Sequence, residues 1–169
     1  MIRLMVTGGR DYTDYDQVVR VLTPFKEQPV VLIHGACKWE QCLTQPMRAW
    51  VGADMLCEAF ATSGDMAGRW SIWRWPAAWP TEGKPAGIKR NIRMIDGARP
   101  HVVIGFPGGR GTMHACNYAY SKNIPVVRLE DQMHKDDEEV GELALKLALV
   151  ECARRTQVPK ETEKIMRGL

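Results

Sequence analysis

The sequence predicts an α/β fold: a doubly wound, mainly parallel sheet with helices on both faces. Short apolar runs alternate along the chain with segments of helical periodicity. The runs are continuously apolar rather than alternating, as strands buried on both sides are. Glycine-bearing turns follow several of these runs directly, at the strand-to-helix junctions where such folds place them.

The first run, "IRLMV" (Ile2 to Val6), is bounded by Gly8 and Gly9 and reads as a buried strand. It leads into "TDYDQVVRVL", with Thr13 as N-cap candidate and Val18, Val19, Val21 and Leu22 at helical spacing. Strand, turn and helix return with "PVVLIHG" (Pro29 to Gly35) and "GADMLCEAFATSG", whose apolar face is Met55, Leu56, Ala59 and Phe60. Between them "ACKWEQCLTQPMRAWV" breaks the pattern, and residues 38–50 are predicted to be an inserted loop. "WSIWRW" is aromatic and β-favouring and makes a third strand. The following "PAAWPTEGKPAG" is too broken by proline and glycine for regular structure and is predicted as an ordered loop. Helix "IKRNIRMIDGA" then carries Ile88, Ile92 and Ile95 on one side and ends at Gly97.

Strand "HVVIGF", turn "FPGGRGT", helix "TMHACNYAYSKN" and strand "IPVVRL" complete the alternation. "DDEEVGELALKLALVECARR" (136–155) is an amphipathic terminal helix, acidic at its start and basic at its end, as the helix dipole favours. Leu143, Leu145, Leu147 and Leu149 are spread around it, which predicts burial against a partner subunit and a homo-oligomer. Residues 1–155 are predicted as a single domain and 156–169 as a charged, loosely held tail.

A chain of 169 residues suits one domain with a real core. Its formal charge of +3 is small and its arginines are scattered, so composition calls for neither nucleic acid nor membrane as a partner. "MIRLMVTGGR" turns polar early, which predicts no signal peptide, no membrane span and a cytoplasmic location. Cys37, Cys42, Cys57, Cys116 and Cys152 are odd in number and lack a C-x-x-C pair, which predicts reduced thiols, several of them buried. His34, Cys37 and Cys42 lie close together, but their spacing matches no standard finger and no fourth ligand is evident. No metal and no cofactor is therefore expected.

Ligands of such sheets bind beyond the carboxyl ends of the strands. Four segments follow strands: "TGGRDYTD", "HGAC" with its insertion, "WPAAWPTEGKPAGIKRN" and "FPGGRGT". In the last, after Pro107, the glycines Gly108, Gly109 and Gly111 flank Arg110 and clear the way for a phosphate to reach backbone N–H groups. Thr112 stands where the next helix begins, with a hydroxyl for capping or for an anion. Arg10, after Gly8 and Gly9, and Arg90, beside Asn91, add guanidinium groups suited to phosphate. His34 and Gly35 end the second strand and are expected to line the pocket, whereas His114 is read as packing or capping. Among Trp70, Trp73, Trp75 and Trp79, the last is expected to stack on a base or wall the pocket. Taken singly, each glycine turn is as well explained as a compact connection. "FPGGRGT" is neither G-x-G-x-x-G nor a P-loop. It is the coincidence of several such turns at equivalent strand ends that predicts a phosphate site.

Taken together, "MVTGGRDY", "VLIHGA", "GAD", "KRNIRMID" and "FPGGRGT" resemble the SLOG superfamily, the Rossmann-like group containing DprA/SMF and Lonely Guy proteins, and within it the small YspA-like branch of bacteria and phages. The resemblance runs from about Ile2 to about Leu129 and omits the 38–50 segment and the terminal helix. It implies a nucleotide or nucleotide-derived ligand held by the glycine loops. Lonely Guy phosphoribohydrolases carry an arginine upstream of P-G-G-x-G-T-x-x-E; that arginine matches Arg90, while the glutamate position is Ala115. A glycosidic hydrolase needs an acidic group, and here only Asp11 or Asp54 would supply it from neighbouring loops.

The expected function is thus binding of a nucleoside phosphate, cyclic nucleotide or ADP-ribose-like molecule, to sense or sequester it, with Asp54 accepting from ribose hydroxyls. The alternative is a nucleotide-processing hydrolase of phosphoribohydrolase type, with Asp11, Asp54 and Arg90 as catalytic candidates. Single-stranded DNA binding comes third, because the near-neutral charge supplies no basic track.

Overall fold

The computed structural model describes residues 1–38, 44, 50–132 and 135–156. Five parallel strands form one sheet: β1 (Ile2–Thr7), β2 (Val30–His34), β3 (Ser71–Arg74), β4 (Val102–Gly105) and β5 (Val126–Arg128), in the order β3-β2-β1-β4-β5. The middles of the central strands are apolar because both faces are covered, and Leu4, Met5, Leu32, Ile33, Val103 and Ile104 are completely buried.

The helices are α1 (Tyr15–Leu22), α2 (Ala53–Thr62), α3 (Trp79–Glu82), α4 (Ala86–Ala98), α5 (Arg110–Ser121) and α6 (Asp137–Thr156). On one face Leu4, Val6, Leu32 and Ile104 pack with Val18, Val21 and Leu22 of α1, Leu56 and Phe60 of α2, and Val140, Ala144 and Ala148 of α6. On the other, Met5, Ile33 and Val103 pack with Met94, Ile95 and Ala98 of α4 and Ala115 and Ala119 of α5. The fold is therefore a three-layer, Rossmann-like α/β arrangement with helices on both faces, as the sequence predicts. No helix among the described residues is long and apolar enough to cross a membrane.

Several local expectations change. Asp14, not Thr13, caps α1, because its Oδ1 accepts the Gln17 N–H at 2.8 Å. The proline-rich loop after β3 contains the short helix α3, with Pro80 in its first turn, where a missing N–H costs nothing. In α4 the buried set is Ala86, Asn91, Met94, Ile95 and Ala98, and Ile88 is 48 % exposed. Nearly every residue of α2 is buried, including Asp54 and Glu58, so its environment is wider than one apolar stripe. α6 lies on its own chain's sheet: Leu143, Leu145 and Leu147 are half-buried against the core, and Arg20 of α1 pairs with Asp137 at 2.9 Å. The surface expected to need a partner subunit is thus largely used within the chain. Most of the 38–50 insertion and residues 157–169 of the tail lie outside the described residues, as does Cys42.

Candidate functional site

The chain leaves β1 toward β2 on one side and returns to β4 on the other, so the carboxyl ends of β1 and β4 flank a switch point. A cleft of about 820 Å³ opens there. It is walled by the β1 loop, the start of α2, the α3–α4 segment and the β4–α5 turn.

The two glycine turns are joined to each other. The Gly9 N–H donates to the Pro107 carbonyl at 2.8 Å, and the Phe106 N–H to the Thr7 carbonyl at 2.8 Å. A Cβ on Gly8 would collide with the Ala53 and Phe106 side chains, and one on Gly108 with Thr112 Oγ1 and the Gly9 nitrogen. These glycines let two loops and a helix start meet. Gly108 does not line the cleft, and its N–H points to Glu130 Oε1 at 3.4 Å.

Gly109 and Gly111 differ. A Cβ at either would meet nothing within 4 Å, and Gly109 has an ordinary φ of −91°. Packing and backbone conformation leave both positions open to larger residues, and both line the cleft. α5 begins here without a side-chain cap, whereas α1 is capped by Asp14. The helix starts two residues before Thr112, so this threonine sits inside the first turn and caps nothing. It is 8 % exposed, lines the cleft, and its hydroxyl makes no hydrogen bond among the described residues. First-turn N–H groups, a positive dipole end and a hydroxyl are groups with which a helix start can hold an anion.

Arg90 is held rigidly. Its Nη1 donates to the Gly35 carbonyl and to the Trp75 carbonyl (3.1 Å), and its Nε to Asn91 Oδ1 at 3.0 Å. Nη2 is the group left for a ligand. Gly35 lies beneath the guanidinium, where a Cβ would strike it, so this glycine serves the cleft through Arg90 rather than by lining it. Buried Asn91 donates through Nδ2 to the Gly111 carbonyl at 3.1 Å, tying α4 to the first turn of α5.

Arg10 lies over the Trp79 ring, 5.1 Å from its centroid, a cation–π contact. Trp79 in turn backs onto Gly87. The tryptophan walls the cleft and presents Arg10, and that ring face is already occupied. Asp54 is 6 % exposed, lines the cleft, and accepts the Cys37 N–H at 3.2 Å. Burial and the Asp54 charge push the Cys37 thiol up from its ordinary value. Asp11 stands at the rim, bonded to Lys38 at 2.6 Å, which holds its carboxyl below the usual range.

His34 takes no part in the lining. It is completely buried, and its Nδ1 accepts the Ala36 N–H at 3.2 Å, which places the proton on Nε2 facing Glu58 Oε2 at 3.0 Å. Arg74 grips the same carboxylate through Nε (2.9 and 3.1 Å) and Nη2 (2.5 Å). Burial alone would raise the Glu58 carboxyl, but the bonds from His34 and Arg74 outweigh it and bring it down to about 2. Buried His34 and Glu58, with the exposed Arg74 closing over the carboxylate, form the foundation under the β2 end. Ala115 lies in the apolar core between α5 and the sheet.

Lys84, Cys37, Tyr12, Gly87 and Ile88 also line the cleft and are not among the ligand-binding residues the sequence predicts. Lys84, Gly87 and Ile88 stand in or just after the strand-following "EGKPAG", so the strand-end rule pointed to their region. Cationic side chains dominate the lining: Arg10, Lys84, Arg90 and Arg110, against Asp11, itself paired, and Asp54.

The fold and the site define a class, a Rossmann-like α/β protein with a cation-rich cleft at its switch point. Within it, the chain is 30 % identical over 137 residues to the gene 61 protein of Mycobacterium phage D29, across 78 % of this chain and 99 % of that protein. It belongs to the family of that phage protein. No family model matches the chain, and no solved structure matches it.

Proposed function

We propose that the cleft binds a nucleotide or nucleotide-derived small molecule, such as a nucleoside phosphate, cyclic nucleotide or ADP-ribose-like compound, in order to sense or sequester it. One observation carries the reading: the uncapped first turn of α5, with Gly109 and Gly111 open to the cleft and the hydroxyl of Thr112, a residue only 8 % exposed, bonded to nothing in the described protein. A phosphate would satisfy all of these at once. Arg90 and Arg110 would neutralise it, and Arg10 on Trp79 would meet the rest of the ligand. The resemblance to SLOG proteins supports the same assignment, since the glycine loops are its shared feature.

A second reading is hydrolysis of the bound nucleotide at its glycosidic bond, and it is favoured by the carboxylate of Asp54 inside the cleft. Incubation with AMP, NAD and cyclic nucleotides, followed by chromatography, separates the two. Ligand recovered intact after heat denaturation supports binding. Release of base or ribose phosphate in proportion to protein overturns it in favour of hydrolysis.

A further inference from the structure

Among the described residues, the cationic cleft is lined by one buried carboxylate. Asp54 sits in the first turn of α2 and lines the cleft while only 6 % exposed. Its Oδ2 accepts the Cys37 N–H at 3.2 Å; it makes no other hydrogen bond and no ion pair among the described residues, and the neighbouring Lys38 is committed to Asp11. An ionised carboxylate has about four acceptor positions, and burying it with most of them unfilled is costly. The structure therefore leaves acceptor capacity at the cleft. A phosphoryl group would be repelled there, and an ammonium would be disfavoured by Arg10, Lys84, Arg90 and Arg110 in the same cleft. Neutral donors remain, and hydroxyls are the neutral donors of a phosphorylated sugar.

We infer that Asp54 is a specificity-determining residue that makes the cleft select ribose-bearing nucleotides over their deoxy counterparts. The inference rests on the cleft being a phosphate-ligand site. An anion at the start of α5 and a hydroxyl acceptor at the start of α2 together describe a ligand with phosphate at one end and free hydroxyls beside it. Losing one hydroxyl leaves a buried carboxylate without its partner, and that asymmetry creates discrimination.

The test is calorimetric titration of the full chain with AMP, 2′-deoxy-AMP, 3′-deoxy-AMP and inorganic phosphate. AMP should bind about tenfold or more tightly than at least one of the deoxy forms, and inorganic phosphate most weakly. In Asp54→Asn, which keeps the size of the side chain and an oxygen for the Cys37 N–H, that ratio should fall to within about twofold. Affinity for inorganic phosphate should hold or rise, because a negative charge has gone; a purely structural residue would lower all four together. Equal binding of AMP and both deoxy forms by the unmodified protein, with phosphate still bound, overturns the inference and leaves the phosphate site standing. AMP bound no better than phosphate, or an undiminished ratio in the variant, also overturns it. If none of the four binds, the reading of the cleft fails as well.

Discussion

Gly108 and Gly109 are neighbours in one turn and answer to different demands. At Gly108 a side chain would drive into Thr112 and the β1 loop; at Gly109, and again at Gly111, it would enter open space. The same contrast separates α1, closed by its own Asp14, from α5, which has no side-chain cap. The difference teaches that a glycine-rich turn can be a packed corner and an open cradle within three residues. Only the half that the fold itself does not require is the half on which the proposed phosphate site rests.

Substitution can break or sharpen that contrast. The largest effect is expected in the corner: Gly8→Val should cost about 3 kcal/mol by overpacking against Ala53 and Phe106, read as a shift of the urea midpoint. An unchanged midpoint would show that the corner tolerates volume and would dissolve the comparison. In the open half, Gly109→Ala and Gly111→Ala should leave stability within about 1 kcal/mol, with Gly111, inside α5, shifting toward greater stability. Both should weaken AMP binding in titration calorimetry by about tenfold, the worth of one good hydrogen bond.

Gly35→Ala tests the boundary between the halves. The added methyl meets the guanidinium end of Arg90 rather than backbone. A loss of about 1 kcal/mol or less is expected in thermal unfolding, together with several-fold weaker phosphate binding as Arg90 leaves its carbonyl anchors. Thr112→Val should change the stability of the free protein by no more than about 0.5 kcal/mol, because its hydroxyl bonds nothing in the described protein, yet reduce affinity.

Acid reads the two edges of the sheet separately. His101, next to the start of β4 at the opposite edge from the cleft, is held down to about 4 by burial and by the positive charges of Arg3 and Arg155. A histidine kept neutral in the fold contributes stability fully above its ordinary value of 6.5, and that stability is lost as pH falls from there toward 4. Glu58, under the cleft, is depressed from 4.5 to about 2, so its contribution is present above 4.5 and lost below it. Denaturant midpoints at about pH 7.5, 5.5 and 3.5 should therefore fall twice, first from His101 alone and then from the remainder of the His101 titration together with Glu58. A flat profile between the first two would remove the His101 step.

The strands were legible because burial on both faces writes itself as an unbroken apolar run, as in "PVVLIHG". α3 was not, because four residues between prolines and glycines carry no periodicity. Ile88 has the spacing of a core residue, but the core on that side is filled by Met94, Ile95 and Ala98, and Ile88 is left at the cleft. Of the site, Arg10, Asp54, Arg90 and the "FPGGRGT" turn were legible from their places after strands, and the structure brings them to one cleft. His34 has the same sequence position as a lining residue. A strand's side chains alternate between faces, and the partner that claims this one, Glu58, comes from a helix 24 positions further along the chain.

By itself the sequence determined the sheet, its helical covering and the edge where the cleft opens, because these follow from local periodicity and the geometry of parallel strands. Tertiary structure alone decided which glycine is a packed corner and which stands open, that Gly35 seats Arg90, that Trp79 presents Arg10, and that Asp54 is the one buried carboxylate in the cleft among the described residues. Each of these depends on contacts between segments far apart in the chain, and such distances are not encoded in any local pattern.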